Sequence, residues 1–575
     1  MSSESITPDD VALPAPWWAN DVVYQIYPRS FCDSNGDGIG DLGGIISKLD
    51  YLSDLGVDVV WLSPIYRSPQ DDNGYDIADY YDIDAIFGTL DDFDALISGL
   101  HARGIKLVMD LVVNHTSDEH AWFDESRDPA SPKRDWYIWR PARPGHEPGT
   151  PGAEPTNLAS AFRGSVWEFD PASGEYYLHM FSRKQPDLNW ENPEVRAAVH
   201  TMMNWWAERG VDGFRMDVIN LISKTYPLTD GVPKPGSPYT EDWSSVINGP
   251  RVAEFLEEMS AAVGIDARPL FTVGETPWTG LEQARQYCNR THPRLGMVFT
   301  FEHVDLDAVP GENKFAVVDV ALPELKKSFA RWQQGMARDG WNSLYWENHD
   351  QPRVVSRFGD DSPERRVACA KAFGTVLHLH RGTPFIYQGE EIGMVNAGFT
   401  SIDQYADIES VNHYREALAA GVPAEEILAS LALKSRDNAR TPMPWGAGPS
   451  AGFSTGEPWL GLNHDVATVH VQASLADPQG VHAHYRRLIA LRHELEVVRD
   501  GTFDLLLPED PRLWVFTRTL RNEQLVVVAN MSSRAAGVPM AELPDLSGAR
   551  LLLGGVGTDV QTLEGWEARV YLTNR

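Results

Sequence analysis

The chain is poor in cysteine, in basic charge and in long apolar runs. Only Cys32, Cys288 and Cys369 occur in 575 residues. Their odd number and wide spacing give neither a disulfide framework nor a zinc-ligand pattern, and they suit a reducing interior. Lysine and arginine total 49 against 82 acidic residues, for a net charge of −33. That balance argues against nucleic acid as a partner and favours solubility. No stretch of about twenty apolar residues runs unbroken, so no membrane span is expected. The opening MSSESITPDDVALPAPWW holds no apolar run of signal-peptide length, which predicts a cytoplasmic protein without a membrane partner. No HExxH or His-rich ligand set occurs, which disfavours a metal-dependent hydrolase.

Apolar sequence is abundant in bulk. Hydrophobic residues make up 42% and charged residues 23%, enough for a large core and two or three domains. Short β-forming runs at 22–28, 57–64, 105–112, 211–219, 269–275, 295–303, 342–348 and 383–388 predict buried strands. Helical periodicity falls between them, at about 45–55, 90–103, 192–209, 252–263, 281–288, 322–336 and 364–380. Eight alternating units predict the α/β class and a (β/α)8 TIM barrel; a doubly wound open sheet is the alternative.

Two stretches break the rhythm. Residues 115–189, rich in Pro, Gly and Trp, are too long for a loop and predict a subdomain inserted after strand 3. Residues 394–476 follow strand 8 as a lid-like insertion with a helical piece near 408–434. The barrel would then take 1–114 and 190–500, its last helix at about 480–498. Residues 501–575 read as antiparallel strands of a C-terminal all-β sandwich domain.

The stretch VDGFRMDVI (211–219) places Arg215 and Asp217 two positions apart, hence on one face of a strand. The arginine would hold the carboxylate ionised, at low pKa, as a nucleophile at a sugar carbon requires. A plain strand-end salt bridge fits those nine residues equally well. Other predicted strand ends carry His115, Glu275 and Glu347-Asn348-His349-Asp350. Barrel chemistry gathers at such ends. Carboxylates about 5–5.5 Å apart across one bond perform retaining glycoside hydrolysis. Asp217 suits the nucleophile. Glu275, with no basic neighbour in sequence, suits the acid and then the base.

DLVVNH (110–115), GFRMDVI (213–219), TVGET (272–276) and ENHDQPR (347–353) resemble, in order and spacing, the motifs of the alpha-amylase family of glycoside hydrolases. QPDLNW (185–190) and DNARTPMPW (437–445) narrow the resemblance to its oligo-1,6-glucosidase and alpha-glucosidase branch. The resemblance spans nearly the whole chain. It implies Asp217 as nucleophile, Glu275 as acid/base and Asp350 as the carboxylate that stabilises and distorts the sugar ring. It implies that His115, His349 and Arg215 hydrogen-bond the terminal glucose.

In DDNGYD (71–76), Asp72 would bind that glucose and pair with Arg440, closing the pocket for exo action, while Tyr75 stacks beneath the ring. Phe162, Phe181 and Gln185 match positions near the cleft. Without the resemblance, Asp72 is a turn residue and Phe162 a core residue. Valine after the nucleophile, here Val218, accompanies α-1,6 preference in this branch; the plain alternative is strand core. Pro444, Leu158 and the insert 141–155 depart from the family pattern around the cleft.

Residues 33–41 (DSNGDGIGD) place oxygen ligands at alternate positions, like the first half of an EF-hand, but Gly44 stands at the twelfth position. The loop resembles the cation loop of this branch, with Asp33, Asn35, Asp37, the Ile39 carbonyl and Asp41 around a structural Ca2+ or Mg2+. A metal-free Asx-rich turn is the alternative. No organic cofactor is expected. The chain thus predicts a monomeric, exo-acting retaining alpha-glucosidase that prefers α-1,6 linkages in small oligosaccharides. The alternatives are α-1,4 preference, a transglucosylase or a sucrose isomerase. The isomerase's arginine-rich stretch is missing from HVDLDAV (303–309). A catalytically dead transporter partner would lack a catalytic carboxylate and carry a membrane span.

Overall fold

The computed structural model describes residues 16–233, 237–265, 267–290, 294–555 and 561–574. The reading of the opening segment falls largely on residues 1–15, outside that set. No described helix is long and apolar enough to cross a membrane.

Eight parallel strands form one sheet: β1 (Val23–Ile26), β2 (Val59–Leu62), β3 (Lys106–Val112), β4 (Gly213–Asp217), β5 (Phe271–Glu275), β6 (Met297–Phe299), β7 (Ser343–Leu344) and β8 (Thr383–Tyr387). Their order is β6-β5-β4-β3-β2-β1-β8-β7. A parallel bridge between Val298 and Asn342 joins the two ends and closes the barrel. The open-sheet alternative is thereby excluded.

Strand periodicity sets what fills the barrel. Val23, Val59, Trp61, Val108, Phe271, Val273, Met297, Phe299 and Phe385 form one interior cluster. Two residues further along the same faces, the apolar filling gives way to Gln25, Ser63, Asp110 and Glu275. The polar layer therefore lies at the C-terminal ends of the strands. Strands pack closely beneath it, and a Cβ on Gly213 would stand 2.0 Å from the Phe271 carbonyl oxygen.

Several elements are shorter than their sequence signals. β6 and β7 keep only three and two residues of the expected runs; after β7 the segment Tyr345–Asp350 leaves the ladder to build the site. The helix expected over 408–434 is two, Ile408–Ala419 and Ala424–Lys434, parted at Gly421 with φ 89° and at Pro423. Between β3 and β4 lies a three-stranded antiparallel sheet of Trp139–Arg140, Glu175–Leu178 and Trp167–Asp170. Beyond the barrel, Thr502–Leu506, Leu513–Leu520, Glu523–Asn530, Ala568–Asn574 and Arg550–Leu553 form a five-stranded antiparallel sheet, with a two-stranded sheet beside it.

Candidate active site

The register of β3, β4 and β5 explains the centre of the site. Asp110 pairs with Arg215 across β3 and β4, and Arg215 with Val273 across β4 and β5. The guanidinium, 1% exposed, is flanked by carboxylates on three strands. Its Nη1 lies 2.9 Å from Asp110 Oδ1 and 2.6 Å from Asp217 Oδ1, and its Nη2 lies 2.7 Å from Glu275 Oε2.

One local expectation is overturned: Arg215 does not serve Asp217 alone. Glu275 has no basic neighbour in sequence and receives one from the next strand, yet it keeps the raised pKa expected of the acid. A second expectation also fails: Asp217 is not held at low pKa. Burial pushes it up to about 7, against the pull of Arg215 and with the push of Asp110. Burial also raises Glu275 to about 7, again against Arg215 and with help from Asp217 and Asp350. Three buried carboxylates around one cation favour keeping a proton among them. Burial thus brings both Asp217 and Glu275 toward neutrality, where a carboxyl can hold a proton and still give it up.

Val218 tightens that pair. Its φ of 33° and ψ of 42° are left-handed, a costly conformation for a β-branched residue. In it the Val218 N–H donates to Glu275 Oε2 at 3.1 Å. The side chain is 7% exposed and packs in an apolar cluster with Leu158, Met180 and Leu221. The side chain is core, as the plain reading had it, but one residue past the strand; its contact with Glu275 through the backbone N–H was not expected.

The third carboxylate is the opposite case. Burial would raise Asp350, but His349, Arg436 and Arg440 together hold it well below the usual carboxylate range. Arg440 Nη2 is 2.7 Å from Asp350 Oδ1, and Arg436 Nη1 is 3.3 Å from it. His349 Nε2 lies 3.1 Å from Asp350 Oδ2, although the contact is not aligned as a hydrogen bond and Nε2 has no other protein partner. A bare nitrogen would be repelled by that ionised oxygen, so Nε2 carries the proton. Burial lowers the His349 pKa and keeps the ring neutral, which makes Nδ1 an acceptor. Gln25 Nε2, 2.8 Å away, is then its donor. The Nε2–H is left for a ligand hydroxyl.

Asp72 lies in the long loop between two short strands, Tyr66–Arg67 and Asp79–Ile83, where Asp76 accepts the N–H groups of Asp71 and Asp72. The expected Asp72–Arg440 pair is absent. Asp72 Oδ1 meets Arg436 Nη2 at 3.0 Å instead. Arg436 and Arg440 are four apart on one helical turn, and the deeper Arg440 is taken by Asp350 and the His349 carbonyl, 2.9 Å from its Nε. Asp407 braces both arginines, at 2.6 Å from Arg436 and 3.9 Å from Arg440. All three residues come from the insertion after β8.

The remaining expected residues converge on the same hollow. Gln185 Nε2 reaches Asp72 Oδ2 at 3.2 Å and His115 Nε2 at 3.3 Å. Tyr75 lies parallel to His349 at 5.1 Å and donates to Asp110 Oδ2 at 3.0 Å. Phe181 packs on His115 at 5.2 Å and on Phe162 at 5.6 Å, and the Arg436 guanidinium lies 4.8 Å from the Phe162 ring.

Sequence reasoning missed Asp110, Arg436, Asp407 and the pair Lys224–Asp187. A lone aspartate inside the apolar run KLVMDLV was the available signal for Asp110. Lys224 Nζ lies 2.9 Å from Asp187 Oδ2 and 3.3 Å from Asn114 Oδ1, with both charged groups buried, and it pins the inserted subdomain to the loop after β4. Nothing local in the sequence marks that contact.

The family description "Alpha amylase, catalytic domain" matches residues 25–501. The chain belongs to the alpha-amylase family. Within that family it lies in the oligo-1,6-glucosidase and alpha-glucosidase branch. It is 52% identical over 566 residues to an oligo-1,6-glucosidase of Parageobacillus thermoglucosidasius, covering 96% of this chain and 98% of the relative. A crystal structure of a Bacillus licheniformis trehalose-6-phosphate hydrolase variant superposes with a TM-score of 0.91 at 43% identity, covering 98% of this chain and 100% of that one. Trehalulose synthase from Pseudomonas mesoacidophila gives 0.90 at 37%, covering 97% and 100%. The alpha-amylase family member described here is thus a glycoside hydrolase in fold and in site.

The loop at 33–41 lies apart from this centre. Asp33, Asn35 and Asp37 each accept the N–H two residues on, at 2.9, 2.8 and 2.8 Å. Asp33 also accepts from Gly36 and Gly38, and Asp41 caps the helix Leu42–Ile46 by accepting from Gly44 at 2.6 Å. Among the described residues no three acidic, histidine or cysteine side chains form a ready metal cluster. A hard cation here would draw on the Asn35 amide and Ile39 carbonyl oxygens and on lone pairs left on Asp37 and Asp41; Asp33 accepts from Asn35, Gly36, Gly38 and Ser454 and would exchange one of these for the ion.

Proposed function

We propose that this chain is an exo-acting, retaining alpha-glucosidase that releases glucose from the non-reducing end of short α-1,6-linked glucosides. The observation that carries the reading is the carboxylate pair Asp217–Glu275 bridged by Arg215. Asp217 attacks the anomeric carbon while Glu275 protonates the leaving oxygen; Glu275 then takes a proton from water as the glucosyl ester is hydrolysed. Arg215, its charge shared among three carboxylates, accommodates the change as one of them becomes an ester. Asp350, ionised, and the Nε2–H of His349 hold the ring hydroxyls, and His115 and Gln185 add further polar contacts. The Asp72–Arg436 pair blocks the chain beyond one sugar, which supports exo action.

The Glu275 proton sets the alkaline side of the pH dependence. Burial raises Glu275 to about 7, so below that value it holds the proton it donates. As pH rises through that value the acid is lost, so kcat/KM in the free enzyme should fall on its alkaline side with a midpoint near 7. A profile flat to pH 9 would contradict the assignment of the acid.

Val218 supports the α-1,6 preference, as does the name of the Parageobacillus relative. Val218→Thr should raise maltose turnover relative to isomaltose by about tenfold, because one polar-for-methyl change in an apolar wall is worth about 1–3 kcal/mol. An unchanged ratio removes Val218 as the selector. Initial rates on isomaltose, maltose, panose, sucrose and trehalose 6-phosphate test the reading as a whole. Isomaltose and panose should lead, with glucose rather than transfer products released.

The loop at 33–41 is proposed to hold a structural Ca2+, with the five oxygens named above as ligands. Chelation should lower Tm by a few degrees, reversed by added Ca2+; an unmoved Tm overturns it. We also place the enzyme in a reducing cytoplasm, supported by three buried, unpaired thiols.

A further inference from the structure

One large aromatic residue at the C-terminal end of the barrel stays half exposed although it packs on a second indole. Trp278, three residues beyond Glu275, is 48% exposed. Its φ is 55°, a left-handed conformation that a bulky residue adopts only when its surroundings impose it. The surroundings do so from both sides. Asn220, in the turn after β4, donates through Nδ2 to the Pro277 carbonyl at 2.8 Å and to Thr279 Oγ1 at 3.2 Å. Thr279 Oγ1 in turn donates to Asn248 Oδ1 at 3.0 Å. Both chain neighbours of Trp278 are fixed, and the indole between them is presented to solvent.

Trp243 completes a wall. The two indoles lie 4.7 Å apart at 53°. Trp243 Nε1 donates to the Ala159 carbonyl of the inserted subdomain at 2.8 Å, and its ring joins the apolar cluster that contains Val218.

The reaction geometry says which side of the bond this wall occupies. Asp72 and Arg436 close the end that holds the terminal glucose. Glu275 protonates the leaving oxygen, so the leaving sugar lies on the Glu275 side. Three residues of chain place the Trp278 Cα within about 11 Å of the Glu275 Cα. We infer that Trp278, backed by Trp243, is a stacking platform for the leaving portion of an oligosaccharide. This inference rests on the glucosidase reading and adds to it where chain-length preference resides. Apolar sugar faces stack on indole with little directional demand, which suits the flexible α-1,6 link.

The test compares isomaltotriose with α-glucosyl fluoride, whose leaving group has no ring to stack, in the unaltered enzyme and in Trp278→Ala and Trp278→Phe. In the alanine variant kcat/KM for isomaltotriose should fall about five- to tenfold relative to that for the fluoride, mainly through KM. Phenylalanine should restore most of the loss. An unchanged ratio in the alanine variant overturns the platform while leaving the glucosidase reading intact. No cleavage of isomaltotriose by the unaltered enzyme overturns both. Transfer of glucose to added maltose gives a second readout, expected to fall with the same variant.

Discussion

Replacing Asp217 with glycine should reduce turnover of isomaltose by on the order of 10^4- to 10^6-fold, the range seen when a covalent nucleophile is removed. The folded state should survive. Asp217 is held by Arg215, which keeps Asp110 and Glu275 as partners at 2.9 and 2.7 Å. Its removal relieves a site with three carboxylates and one cation. The more specific expectation concerns azide. With the carboxylate gone and a small residue in its place, azide can enter from the side Asp217 occupied. α-Glucosyl fluoride should then yield β-glucosyl azide, with inversion. Near-normal turnover, or α-configured azide product, would show that another group attacks the sugar. The neighbouring carboxylate Asp110 is no substitute, since it is fully buried and bound by Trp61, Tyr75 and Arg215.

Glu275→Gln should behave differently. A general acid contributes about 10^2- to 10^4-fold, and only where the leaving group needs a proton. Turnover of isomaltose should fall by that amount. Formation of the glucosyl-enzyme from α-glucosyl fluoride should fall far less, because fluoride leaves without full protonation. Hydrolysis of the ester then lacks its base, and azide should intercept it to give the α-product. The two variants therefore predict azides of opposite configuration from one substrate. The alkaline fall near pH 7 should also disappear in Glu275→Gln. A variant that loses both substrates equally would mean that Glu275 only supports Arg215 and Val218.

The barrel was legible because its signals are local. Each strand is a short apolar run, and residues such as Arg215 and Asp217 mark a shared face by spacing alone. The catalytic carboxylates were legible because they lie at strand ends in recognisable motifs. One failure is local, the helix over 408–434 that breaks at Gly421 and Pro423; those at the site lie between segments distant in sequence. Glu275 looked free of basic neighbours because its partner Arg215 lies sixty positions earlier and arrives through strand register. Asp217 looked strongly ionised because sequence shows the arginine and hides the burial and Asp110. Asp72 was given the wrong arginine since Arg436 and Arg440 are one helical turn apart. Only the fold shows that Asp350 meets both, and that Arg436 alone also reaches Asp72. Lys224 and Asp187 meet across two loops that no periodicity connects. Trp278 was one aromatic among nineteen tryptophans until its exposure and backbone set it apart.

The measurement that bears most directly on the central claim is covalent trapping. A 5-fluoro-α-glucosyl fluoride slows both chemical steps, and the departing fluoride lets the first outrun the second. Peptide mass analysis of the inactivated enzyme should find one fluoroglucosyl ester, on Asp217, with the label released on adding an acceptor sugar. A label on any other residue, or steady turnover with no ester formed, would contradict the account.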